Sequence, residues 1–290
     1  MAAMATPRST GMPGVDAQHD FLRARRRATM AHLAARLRGE PDDVGVILPY
    51  EEVIAALGFV SEHSIGLQVV QLDLIVGTVD RGRDFDRRFR PTSRRVRSRW
   101  EQIAAATRRG QALPPVDLVR VGDIYFVRDG HHRVSVARAL GRSDIDAYVT
   151  EVVTRVGADR AISLATLPMK SHERVFFERV PLEDGQRSEI RFADPWDYSV
   201  LAESVEAWAF RASQDRGEAL DRPAAARLWL ETEYRPVVAM LRDADLIHGG
   251  TDAEAYLRVA EERYRLLRTH SWNDDVLQQV LQGERRRRFT

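Results

Sequence analysis

Asp129-Gly130-His131-His132-Arg133 decides how this chain is read. The apolar run Ile124-Tyr125-Phe126-Val127 precedes it, and Val134 to Leu140 follows with apolar spacing suited to a helix packed on one side. The pattern predicts a strand, a tight turn and a helix from His131 to Leu140, stopped by Gly141. With Asp129 as the cap, Gly130, His131 and His132 fill the first turn, where backbone N–H groups lack intrahelical acceptors. Such a helix start attracts anions. Gly130 lets a phosphate approach the backbone closely, and Arg133 can offer two parallel donors. His131 or His132 can donate as a neutral imidazole or carry charge. The simpler alternative is an Asp-Gly turn with an ordinary cap. Adjacent histidines splay apart, and no third ligand stands at metal-site spacing.

Working outward, Val116–Arg120 and Ile124–Arg128 form a hairpin around Val121-Gly122-Asp123, and Ile145–Val149 is a third strand. Leu67–Val76 reads as one or two strands. Ser93–Arg108 reads as a helix with Val96, Trp100, Ile103 and Ala104 near one side. Together these make a compact mixed unit over residues 67–155. Residues 1–20 read as disordered. Residues 21–66 read as a helical extension with helices at Phe21–Leu37 and Tyr50–Leu57. Residues 156–195 are a connector with short strands expected at Phe176–Val180 and Glu189–Phe192. Residues 196–283 are mainly helical, with helices at Leu201–Arg211, Pro223–Arg235, Pro236–Ala244, Asp252–Leu267 and Trp272–Leu281. Pro236 should end or kink the helix before it. Thr251 and Glu254 have capping-box spacing. Trp208, Trp229, Tyr234, Tyr256 and Tyr264 supply core material, and 284–290 is a basic tail. The expected fold class is α+β.

A chain of 290 residues can bury one large core or two modest ones. It has no cysteine, which removes disulfides and thiol nucleophiles. The formal net charge of +1 does not announce a nucleic-acid binder. Lys170 is the only lysine, so no phosphate-loop lysine exists, and arginine, histidine or backbone must hold any phosphate. No run approaches the roughly 20 apolar residues of a membrane span, nor is there a signal-peptide core. The default expectations are a cytoplasmic location and no membrane partner.

A second cluster, Val76-Gly77-Thr78-Val79-Asp80-Arg81-Gly82-Arg83-Asp84-Phe85-Asp86, is the candidate opposite wall. Arg81 or Arg83 can hold a phosphate. Asp80, Asp84 or Asp86 can accept a hydroxyl proton, and Asp84 and Asp86 can hold Mg²⁺, which needs hard oxygen ligands. The alternative is a solvated loop of surface ion pairs worth about 0–1 kcal/mol each. Phe85 and Phe89 read as packing residues. Arg87–Arg99, dense in arginine, could instead track a nucleic-acid backbone, although no recognition helix is evident.

The box Gly130-His131-His132-Arg133-Val134-Ser135-Val136-Ala137, with its flanking strands and Pro115-Val116, resembles the ParB/sulfiredoxin superfamily over roughly residues 67–155. In that superfamily a glycine-led box at a helix start contacts nucleotide phosphates. ParB proteins carry Gly-Glu-Arg-Arg there and sulfiredoxins Gly-Cys-His-Arg; Gly130 and Arg133 match both. His132 matches the sulfiredoxin histidine. His131 replaces the sulfiredoxin cysteine, so that chemistry is not expected. Asp129-Gly130-His131 is most similar to the box of the free-serine kinases. The helical part resembles an uncharacterised bacterial domain through Trp229, Glu233-Tyr234-Arg235-Pro236 and Thr251-Asp252, and not the DNA-reading region of ParB.

The resemblance implies a nucleotide-binding protein using ATP or CTP with Mg²⁺, as a phosphotransferase or nucleotide hydrolase. Its nucleotide site would comprise Thr78, Arg81, Arg83, Asp129, Gly130, His131, His132 and Arg133, with Asp80, Asp84, Asp86 or His131 as catalytic groups. The phosphate acceptor, a small molecule or a protein, is unspecified, and a homodimer is admitted. The alternatives are a DNA-associated regulatory protein switched by nucleotide, a nuclease, and a scaffold with a vestigial pocket.

Overall fold

β4 (Val116–Val121) and β5 (Ile124–Asp129) pair antiparallel through the turn at Gly122, as the hairpin pattern predicts. They form the centre of a six-stranded sheet in the computed structural model, which describes residues 10–39, 45–80, 84–247 and 249–267. The strand order is β1-β3-β5-β4-β6-β2, with β1 Leu48–Pro49, β2 Phe59–Gln71, β3 Ile75–Thr78 and β6 Asp144–Thr154. β1, β3 and β5 run parallel, β4 and β6 run parallel, and β2 pairs antiparallel with β6.

Alternation along the strands sends successive side chains to opposite faces. Val116, Leu118, Val127, Ala147 and Val149 face one core with Val134 and Ala137 of α4 (His131–Ala139). Phe126 faces the other side, edge-on to Tyr50 at the start of α2 (Tyr50–Leu57). Beyond α4 lie α3 (Arg97–Arg108) and α1 (Pro13–Leu37), joined by Phe21, Trp100, Ala104 and Val136. The Trp100 indole donates to Ser135 Oγ at 2.8 Å, which satisfies both buried polar groups.

Two expected boundaries move. Residues 13–20 are helical rather than disordered, because Asp16 and Asp20 are buried against Arg108 at the end of α3. The Arg108 guanidinium donates twice to Asp20, at 2.6 and 2.8 Å. The supposed helical extension also contains β1 and the first half of β2. The Leu67–Val76 run holds two strands, one of its two expected readings: the end of β2 and the start of β3, divided by a 3-10 turn, Leu72–Leu74. Arg138 holds that turn by donating to the Leu72 and Ile75 carbonyls, with its guanidinium 5.4 Å from the Phe89 ring centre. Burial lowers its pKa to about 10.

The chain divides into two compact units, residues 1–171 and 172–290. The helix α5 (Leu167–Arg179) spans the division. In the second unit follow α6 (Asp184–Arg187), α7 (Pro195–Arg216), α8 (Arg222–Trp229), α9 (Arg235–Asp243) and α10 (Asp252–Leu267). Phe176–Arg179 is helical and Glu189–Phe192 is irregular, so neither expected strand forms. Pro236 does not end its helix. A π-turn at Leu230–Tyr234 links α8 to α9, and the changed register accommodates the missing proline N–H. The capping box is present: Glu254 N–H donates to Thr251 Oγ1 at 3.2 Å and Thr251 N–H to Glu254 Oε2 at 2.9 Å. Trp229, Tyr234 and Tyr256 are buried against one another, with centroids 5.2 to 5.9 Å apart. Trp208 is half-buried. The expected helix Trp272–Leu281 and the basic tail lie outside the described residues. No helix among the described residues is long and apolar enough to cross a membrane.

Candidate functional site

β5 ends at Asp129, and Gly130 turns the chain into α4 with φ 102°. Gly130, not Asp129, is the N-cap, and no side chain caps the helix. A left-handed cap suits glycine on backbone grounds, and space adds a second reason. A Cβ at Gly130 would lie 2.5 Å from Val116 Cγ1. Val134 N–H bonds to the Gly130 carbonyl at 3.0 Å. Among the described residues nothing accepts from the N–H groups of His131, His132 or Arg133. The three amides lie at the carboxyl ends of parallel strands β3 and β5, where α/β sheets bind ligands.

Arg133 is engaged by the protein itself. Its NH1 donates to the Pro114 and Pro115 carbonyls at 2.8 and 2.7 Å, and its NH2 pairs with Asp129. The fork expected to hold phosphate therefore clamps the segment before β4. Asp129 keeps its carboxylate largely exposed while making that pair.

His131 lies within 2.7 Å of Thr78, Nε2 to Oγ1. Thr78, at the end of β3, is buried, and its Oγ1 accepts from Asp80 N–H at 3.0 Å. Phe85 and Phe89 back the His131 ring at 6.4 and 6.2 Å between centroids, and Phe85 meets His132 edge-on at 5.4 Å. Both phenylalanines are packing residues, as expected. Phe89 has a positive φ of 56°, costly for a bulky residue and held by complete burial of its ring. The loop that carries these rings is tied by Asp86. Its Oδ1 accepts from the N–H groups of Arg88 and Arg90, and its Oδ2 accepts from Arg90 Nε at 2.7 Å. Asp86 is thus a loop brace, not an open base or metal ligand. Arg81 and Arg83 lie outside the described residues.

Burial lowers the pKa of His131, against the opposing pull of Asp80 and Asp129. Burial also lowers that of His132, helped by the positive charge of Arg99 and by His131, with Asp84 opposing. His132 Nδ1 is buried without a hydrogen-bond partner among the described residues. Both imidazoles are therefore neutral at pH 7. Their folded values lie below the unfolded value of about 6.5. Below that pH the unfolded chain binds more protons, so their contribution to stability is full above about pH 6.5 and is lost on acidification toward the folded values. Melting temperatures should fall between about pH 7.5 and about pH 5.5, and fall less in the double variant His131→Asn, His132→Asn. An equal fall in the double variant would remove the histidines from the account.

No group of three or more histidines and acids among the described residues could hold a metal ion. Asp80 is exposed and Asp84 half-buried. Elsewhere, a shallow groove between α1 and the start of α3 is lined by Gln18, Arg94, Arg95, Arg97 and Ser98, and includes no residue of the α4 start. Within the arginine-dense stretch, Arg87 donates to the Ile162 carbonyl, Arg90 to Asp86 and the Arg27 carbonyl, and Arg97 to Glu101. Arg88, Arg94, Arg95 and Arg99 are exposed. The roles of Arg138 and Ser135, and the part of Arg99 beside His132, escaped sequence reasoning, since no local motif marks them. No family model, curated protein or solved structure matches the chain.

Proposed function

We propose that this chain binds a nucleoside triphosphate, ATP or CTP, by its phosphates at the start of α4, and acts as a nucleotide-dependent phosphotransferase or hydrolase. One observation carries the reading: three successive amide N–H groups, at His131, His132 and Arg133, have no acceptor among the described residues and follow a left-handed glycine. Helix starts of this kind favour anions through aligned donors and the positive end of the helix dipole. The resemblance of the Gly130–Arg133 box to nucleotide-binding members of the ParB/sulfiredoxin superfamily agrees with it.

In this reading the backbone holds the phosphates. Neutral His131, fixed by Thr78, polarises or steadies a phosphate oxygen. Arg133 positions the turn through the Pro114 and Pro115 carbonyls. Mg²⁺ fits only as an ion held mainly by the phosphates themselves, because Asp86 is committed to Arg90 and the described acids do not converge. Bound there, it supplies charge neutralisation. The charges of Asp80 and Asp129 reach His131 and that of Asp84 reaches His132, and Asp129 is paired with Arg133. Asp80 is assigned the proton from the attacking hydroxyl, since its backbone is tied to the Thr78–His131 pair.

Calorimetry with ATP, CTP, ADP and GTP, with and without Mg²⁺, should show saturable binding in the millimolar range or tighter. No heat and no thermal shift with any of them ends the proposal. Asp80→Asn should leave nucleotide affinity nearly unchanged and lower turnover about 100-fold, the usual scale for losing a general base. Equal loss of binding and turnover would reassign Asp80 to binding. A second reading, a DNA-associated protein, is favoured by the exposed Arg88, Arg94, Arg95 and Arg99. Duplex binding that weakens steeply with salt would support it.

A further inference from the structure

The two edges of the sheet are unequal. β1 has two residues and ends in Pro49, which has no N–H to offer. β2 has thirteen and, among the described residues, pairs only with β6, which makes its other side a sheet edge. Proteins ordinarily blunt such an edge with charge, proline, bulges or a covering element. In β2 the only ionisable residues are Glu62 and His63, and both precede a bulge at Ser64/Gly66, where Gly66 has φ 79°. Beyond the bulge, Leu67-Gln68-Val69-Val70-Gln71 is regular and uncharged. Leu67 and Val69 share a face and are 57% and 70% exposed. Tyr148, opposite Leu67 on β6, is 56% exposed.

We propose that the Leu67–Gln71 edge of β2 pairs antiparallel with the same edge of a second copy of this chain, joining two sheets into one. The pattern commits the register. With Gln68 opposite its own counterpart, Leu67 faces Val69 of the second copy and Val69 faces its Leu67. Four exposed apolar side chains then meet on one face, flanked in each copy by Tyr148 beside Leu67 and by the exposed Asp146 beside Val69, and no charged residue of β2 opposes another. A two-fold axis through the edge makes each contact occur twice. Gln68 Nε2 donates to the Ile65 carbonyl at 3.2 Å, a local cover that pairing would release. Another exposed apolar row, on α1, does not suit self-pairing. Leu22, Met30 and Leu33 there lie among exposed Arg23, Arg26, Arg27 and Arg36, while the helix's acids Asp16 and Asp20 are buried. The β2 pairing is short, so the dimer depends on concentration.

Sedimentation of the full chain over a range of concentrations tests this, together with Val69→Lys, which places a charge on an exposed position and should not disturb the fold. The wild type should move from one chain toward two as concentration rises. Val69→Lys should stay a single chain with an unchanged melting temperature. Because the chain has no cysteine, Gln68→Cys and Ser61→Cys can be oxidised as single-thiol variants. Gln68→Cys should cross-link about tenfold faster, since the register brings its two sulfurs within bonding reach. A single chain at every concentration, a dimer untouched by Val69→Lys, or equal cross-linking at the two positions overturns the proposal.

Discussion

Gly130→Ala is expected to abolish nucleotide binding and to lower the unfolding free energy by about 4 kcal/mol. Two costs add. Alanine at φ 102° leaves the regions open to residues with a Cβ, and that Cβ would lie 2.5 Å from Val116 Cγ1 and 2.9 Å from Val116 Cβ. Val116 is fully buried at the start of β4, so it has no room to retreat. Relief can come only by lifting the turn, which swings the His131, His132 and Arg133 amides away from the mouth of the sheet. Chemical denaturation measures the first effect and calorimetry the second. If the variant folds with near wild-type stability and still binds, the turn is not held as described here.

Gly77→Ala should cost nearly as much stability, for a different reason. Gly77 sits in β3 between β1 and β5, where a Cβ would come within 2.2 Å of Phe126 Cδ1 and 2.7 Å of the Leu48 carbonyl oxygen. Phe126 is fully buried, and a backbone oxygen cannot rotate away. The added methyl must push β1 off the sheet edge or displace the aromatic ring, at about 3 kcal/mol on the upper scale of overpacked cores. Thr78 follows directly, so the variant should also loosen the hydroxyl that fixes His131. Denaturant unfolding reports the stability loss. The His131 ring signals in a nitrogen-15 spectrum report the loosened contact. A variant within about 0.5 kcal/mol of wild type, the scatter of an ordinary surface change, would show that the strands yield more easily than this packing allows.

Short-range signals were legible in both units. The hairpin at Val121-Gly122-Asp123, the helix after Gly130 and the capping box at Thr251 each rest on residues within a few positions of one another, and each is where the pattern puts it. What was illegible depends on distant partners. Asp16 and Asp20 read as ordinary polar residues until Arg108, nearly ninety positions on, comes to meet them. Arg133 reads as a free phosphate donor until the Pro114 and Pro115 carbonyls fold back onto it. Asp86 looked like one of three equivalent acids, yet three donors from Arg88 and Arg90 converge on it. Phe176–Val180 has strand-like composition, but burial on one side of α5 decides for helix. The candidate site was therefore readable as a place, with its glycine, histidines and threonine. The division between groups open to a ligand and groups used by the fold was not.

Backbone amides at the start of α4, which have no acceptor among the described residues, are proposed to receive a polyphosphate. Amide-resolved nitrogen-15 spectra during titration with ATP and Mg²⁺, then with inorganic triphosphate, address it directly. The largest saturable shifts should fall on His131, His132 and Arg133, with smaller ones at Thr78 and Asp80, and triphosphate alone should reproduce the pattern. Shifts confined to Gln18, Arg94, Arg95 and Ser98 in the groove beside α1, or none that saturate, would contradict it.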